Sequence, residues 1–164
     1  MNKILYFFTR KYNQVRKVIR YLPAIWRSHD FDYMYAVDLF YLQLEDIANY
    51  FEANKSNKEN AAHSASRIRM ILRLMDKVYD EEYGTEYQKT MEEKYGAESW
   101  EFTPYGDKGL SFLKITNEYA RDEEHQNQID DERSELFVLS YKKQQRAHKL
   151  LWDLVEHNIR HWWD

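Results

Sequence analysis

The chain reads as an all-α protein: a single-domain antiparallel helical bundle of about five or six helices, with an irregular aromatic loop near 96–109. Three observations predict this. Only 4 Gly and 2 Pro occur in 164 residues, at positions 23, 84, 96, 104, 106 and 109, leaving long uninterrupted stretches. Within those stretches apolar residues recur every three or four positions, the period of a helix. Runs of alternating polarity rich in β-branched residues are few, so little or no sheet is expected. A domain of this length buries roughly 70% of its unfolded surface. The expectation is therefore one helical domain over 1–164, with a basic N-terminal helix over 1–28 and the bundle over 30–164.

Leu5, Phe8, Tyr12, Val15, Ile19 and Leu22 share one face of a first helix over Lys3 to Tyr21, with Arg10, Lys17 and Arg20 off that face. Such a basic amphipathic helix can lie on a membrane surface. The commoner arrangement, and the one expected here, docks the apolar seam onto the protein's own bundle. Pro23 should end or kink this helix. Asp30 or Ser28 can cap a second helix from about Phe31 to Asn54, where Tyr33, Val37, Phe40, Leu44, Ile47 and Phe51 form a heptad-like seam. The polar run 54–60 is a turn. A third helix should begin near Asn60, end at Gly84 as its C′ glycine, and pair antiparallel with the second.

The third helix carries Ile68, Ile71, Leu72, Met75, Val78 and Tyr79 at helical spacing, beside a row of Arg69, Arg73, Asp76 and Asp80. Thr85 to Tyr95 is expected as a short polar helix. Gly96 to Gly109 is the least regular part and holds Trp100, Phe102 and Tyr105. Another helix is expected from Leu110 to about His125, and Asp130-Asp-Glu132 should cap a last helix reaching Trp162.

Composition narrows the function classes. Cysteine is absent, which excludes disulfides, thiolate metal sites and a cysteine nucleophile. No apolar run approaches the roughly 20 residues that span a bilayer, and the opening stretch has too short an apolar run for a secretory signal. A soluble, cytoplasmic protein is expected. The net charge of −4 hides an asymmetry: 1–28 carries seven Lys/Arg and no acid, whereas 76–135 carries eighteen Asp/Glu against seven Lys/Arg. Opposed blocks of this kind can fold the basic end onto the acidic middle or pair the chain with a copy of itself, and the acidic block argues against nucleic-acid binding by the basic arm being the whole story. The aromatic share of 16%, with 14 Tyr, 8 Phe and 5 Trp, serves a helical core or a partner surface.

No catalytic motif stands out. Asp153, His157, His161 and Asp164 step by four, four and three along the last helix, a spacing that can chelate a divalent ion. The general-base glutamate of the zinc-protease pattern is missing. His29-Asp30 is similar to the dipeptide of helical metal-dependent phosphohydrolases, but no His precedes it to complete their ligand set. Glu45, Asp46, Asp76 and Asp80 resemble the magnesium cluster of all-α nucleotide pyrophosphatases, yet position 48 is Ala where those sites use a carboxylate. Asp76 and Asp80 are more simply partners of Arg69 and Arg73. No cofactor is expected. Arg67, Arg69 and Arg73 could grip phosphate through forked donors, against the plainer reading of an internal salt-bridge seam.

Arg67-x-Arg69-x3-Arg73-Leu-Met-Asp76-x3-Asp80-x2-Tyr83, His29-Asp30-Phe31-Asp32-Tyr33 and the terminal Trp162-Trp163-Asp164 together resemble a widespread group of small helical proteins encoded by tailed bacteriophages. The resemblance covers the helical scaffold but not 85–125. It implies an accessory phage protein of the host cytoplasm and no catalytic residues. Such proteins often neutralise host defence by gripping a defence protein or sequestering its nucleotide messenger. The expectation that follows is a homo-oligomeric sponge for a nucleotide-derived signal, binding without turnover. In it Arg69 and Arg73 hold phosphate, Tyr33, Trp162 or Trp163 stacks on the base, and His29 or His161 contacts sugar or phosphate. The rival expectation is an interaction module that covers a host or phage protein with its acidic middle and the aromatics Trp100 to Tyr105. A third is a metal-dependent nucleotide hydrolase using Glu45, Asp76 and Asp80.

Overall fold

The computed structural model describes residues 3–27, 32–53, 59–105 and 109–162. Most of these are helical, in five helices with a small two-stranded antiparallel sheet: α1 (Lys3–Arg27), α2 (Met34–Glu52), α3 (Ala61–Tyr79), α4 (Glu82–Tyr95), β1 (Glu98–Tyr105), β2 (Leu110–Asn117) and α5 (Glu123–Ile159). The chain divides into two compact units, 1–73 with 158–164, and 74–157.

In the first unit, α2 buries Val37, Leu44, Ala48 and Phe51, and α3 buries Ala61, Ala65, Ile68, Ile71 and Leu72. These are the stripes the three-four spacing marks, and their burial is what holds short helices in shape. Tyr33, expected in the α2 seam, is 71% exposed. The capping residues expected at Ser28 and Asp30 lie outside the described residues. Asp32 does comparable work, its Oδ1 accepting the Met34 N–H at 2.8 Å. Pro23 does not end α1, which continues to Arg27.

The second unit buries Met75, Val78, Met91, Ile129, Leu151 and Val155. Gly84 is not the stop of α3. That helix ends at Tyr79, Glu81 takes the left-handed conformation (φ 54°), and Gly84 sits in the first turn of α4. The Val78 carbonyl near the end of α3 accepts from Gln144 Nε2 at 2.6 Å and from the Glu81 N–H at 3.3 Å.

The segment expected to be an irregular loop and then a helix is instead a β-hairpin, paired from Glu98 opposite Asn117 to Tyr105 opposite Leu110. Its register sets Trp100 opposite Ile115 and Phe102 opposite Leu113, so one sheet face is apolar. Arg133 anchors the hairpin to α5: its Nε donates to Glu98 Oε1 at 3.1 Å, and its other nitrogens donate to Asp130 and Asn117.

Gly96 joins α4 to this hairpin at φ +75°, where an added Cβ would lie 2.7 Å from Glu118 Cβ. Both the backbone and the space exclude a side chain. Gly96→Ala is expected to destabilise the protein by about 2 kcal/mol, measured as a lower denaturant midpoint. Gly84→Ala, whose new methyl would meet only Gln144 at 3.7 Å, should cost nothing or stabilise slightly.

Candidate functional site

Asn13, Arg16, Lys17 and Arg20 lie on one side of α1 because they step by three, one and three residues. That side is turned toward α2. Arg20 Nη2 donates to Glu45 Oε2 at 2.6 Å, and its Nη1 lies 3.3 Å from Asp46 Oδ1. The Tyr21 hydroxyl is 3.1 Å from both Gln43 Oε1 and Asp46 Oδ2, and its single proton serves one at a time. Burial pushes the Tyr21 phenol above its ordinary range, reinforced by the charge of Asp46 and the hydrogen bond to it.

A cleft of about 750 Å³ opens along this seam. Among the described residues its cations are Arg16, Lys17 and Arg20, its amides Asn13, Gln43 and Asn49, its carboxylate Asp46, and its apolar surface Ile47, Tyr50, Phe51 and Trp162. Arg16 and Lys17 are exposed, and no ion pair holds either of them among the described residues. Tyr50 is 49% exposed and packs its ring 6.0 Å from that of Phe51. Trp162 is buried in the turn that follows α5.

Trp162 also walls a smaller cavity of about 350 Å³, where His63 and Arg67 of α3 meet Arg160 and His161 from the end of the chain. Asn60, Ser64 and Asn158 complete its lining, which holds no carboxylate among the described residues. Arg67 Nη1 donates to Asn158 Oδ1 at 2.8 Å. Donors thus face this cavity from several sides.

The arginine row does not behave as the spacing suggested. Arg69 is closed by Glu52, accepting from Nε and Nη2 at 2.9 and 2.8 Å, and by Asn49 Oδ1 at 2.7 Å. The hydrogen bond to Glu52 raises the Arg69 pKa and lowers that of Glu52. A lowered carboxylate pKa stabilises the fold above the ordinary carboxylate range, and that contribution is lost as pH falls through the folded value. Arg73 donates to the Arg69 carbonyl at 3.3 Å. No ion pair joins Arg69 or Arg73 to Asp76 or Asp80 among the described residues. Arg69, Arg73 and Tyr33 line neither cavity, whereas His161 and Trp162 do. His29 and Trp163 lie outside the described residues.

The proposed metal ligands are not assembled. Among the described residues no group of three or more His, Asp or Glu is placed to hold a metal ion. His157 Nδ1 lies 2.6 Å from the Asp153 carbonyl of its own helix. Because α5 ends at Ile159, His161 sits in a turn and leaves the face that a longer helix would have given it. Glu45, a candidate for magnesium, is instead the partner of Arg20.

The sequence reading missed Arg16 and Tyr50. Their signal was present in the polar side of α1 and the flank of the α2 seam, but nothing in the periodicity says that those two surfaces meet. No family model, curated protein or solved structure matches the chain.

Proposed function

We propose that the protein binds a nucleotide-derived anion in the cleft along α1 and α2 and holds it without turning it over. The observation that carries this reading is the joint presence of the unpaired cations Arg16 and Lys17 with the aromatic wall of Tyr50, Phe51 and Trp162 in a cleft of about 750 Å³. Pockets for small organic ligands typically span roughly 300–1,000 Å³ and combine apolar walls with a few convergent polar groups. Forked or charged donors suit phosphate, the rings suit a base, and Asn13, Gln43 and Asn49 can read its edge. Arg20 Nε is a further buried donor without an acceptor. Both oxygens of Asp46, the only carboxylate among the described residues of the lining, are engaged by Arg20 and Tyr21, which supports holding over hydrolysis.

The likeness to tailed-phage proteins supplies a setting: an accessory protein of the host cytoplasm, working as a homo-oligomer, that lowers the free concentration of a nucleotide signal used in host defence. A second reading is favoured by the hairpin, whose Trp100 and Phe102, on one sheet face, are 58% and 64% exposed and offer an aromatic surface to a host or phage protein.

The test is to heat-denature the purified protein, identify released small molecules by mass spectrometry, and follow the melting temperature against mono-, di- and cyclic nucleotides. A ligand at a hundred times its Kd adds about 2.7 kcal/mol, a rise of roughly 5–10 °C for a chain this size. Nothing released and no shift across the panel would overturn the binding proposal, and capture of a host protein through the hairpin would then favour the second reading.

A further inference from the structure

The side of α1 opposite the cleft is turned outward, and it is the apolar one. Phe8, Tyr12, Val15, Ile19, Leu22 and Trp26 step by four and three residues along one face and are between 48% and 84% exposed. A helix of a globular protein normally buries such a stripe and presents its charges to water. Here Arg20 and Tyr21 reach α2, residues 7–19 are exposed, and the seam expected to dock on the protein's own helices is uncovered. With Phe7 and Val18 beside it (55% and 63% exposed), the face covers an arc of about 140° at 100° per residue.

Charge and width select the occupant. The helix carries seven Lys/Arg and no Asp or Glu. Packing it face to face with a second copy would bring two such sets together, and its broad aromatic surface does not reduce to the narrow seam of a coiled coil. An anionic lipid surface satisfies both features. Arg27 follows one edge of the face and Arg10 the other, where their heads reach phosphates while the rings and branched side chains enter the acyl boundary. Lys11 lies within the arc, its ammonium 5.7 Å from the centre of the Phe7 ring. Tyr12 and Trp26 are residue types that settle at the headgroup level. Among the described residues no helix is long and apolar enough to cross a membrane, so the helix lies on the surface rather than through it. We propose that α1 docks the protein, by this face, in the headgroup region of an anionic lipid bilayer.

The proposal is tested with the full-length protein and vesicles of phosphatidylcholine alone or with 30% phosphatidylserine. Co-sedimentation with the anionic vesicles, falling as salt rises, is expected. The triple variant Phe8→Ser, Ile19→Ser, Trp26→Ser should bind them at least tenfold more weakly. Because the three side chains are exposed, its circular dichroism, melting temperature and nucleotide response should match the wild type. Failure of the wild type to bind anionic vesicles overturns the proposal, as does undiminished binding by the triple variant. A concentration-dependent oligomer that the triple variant abolishes, without vesicle binding, would assign the face to a second copy or its acidic surface instead.

Discussion

Replacing Arg16 and Lys17 together by alanine is expected to weaken binding of the nucleotide found in the ligand screen by at least a hundredfold. Hydrogen bonds to a charged group contribute about 1.5–3 kcal/mol each, so losing two phosphate contacts removes about 3–6 kcal/mol if they act independently. Every 1.4 kcal/mol is tenfold in affinity. Both side chains are exposed and without an ion pair among the described residues, so the fold should lose no more than about 0.5 kcal/mol. Titration calorimetry beside thermal melting separates the two effects. The contrasting variant is Arg69→Ala. It removes no cation from the cleft and frees Glu52 together with Asn49, a single amide of the lining, so affinity should fall by no more than about tenfold. The reverse pattern, with Arg69→Ala losing affinity and the double variant keeping it, would return the site to the α3 row.

The contrast shows where periodicity informs and where it stops. The spacing put Arg69, Arg73, Asp76 and Asp80 along one helix; the first three lie on α3, which ends at Tyr79, and the carboxylate that holds Arg69 is Glu52, seventeen residues earlier on another helix. A three-four pattern describes neighbours on one cylinder and carries nothing about which cylinder lies beside it. The same limit governs α1. Its apolar and basic sides were both legible, but periodicity cannot say which side turns inward, and the usual rule that the apolar side does so fails here. The hairpin was a different kind of miss. Trp100 and Phe102 alternate with polar neighbours, as do Leu113 and Ile115, and Gly109 closes the stretch with φ +67°. Those are strand and turn signals, outweighed in the reading by the helical character of everything around them. Gly84 was misread because glycine past a periodic run is the usual stop signal, while the left-handed conformation was taken by Glu81.

What the pattern did reveal is the burial of α3, and its energetic weight can be measured. Ile68→Ala is expected to destabilise the protein by about 3–4 kcal/mol. Ile68 and Ile71 are fully buried, with Leu72, Met75 and Val78 at 4%, 2% and 3% exposure. The substitution removes three carbons, worth about 0.8 kcal/mol per buried CH₂ in transfer alone. The rest comes from the cavity left behind, because a rigid helix does not close fully over the gap, and measured Ile→Ala costs run from about 2 to 5 kcal/mol. Domains of this kind have only about 5–15 kcal/mol in total, so one truncation on this stripe is a large fraction of what keeps the chain folded. In urea the midpoint should fall while the slope stays constant, the mark of lost stability rather than a changed unfolded state. Met70→Ala, on the same helix but 46% exposed, should cost below about 1 kcal/mol. Similar losses at the two positions would mean that the stripe is not the core its spacing describes. A large loss at Ile68 alone would show that the α3 seam, rather than the charge row beside it, is what the helix contributes to the fold.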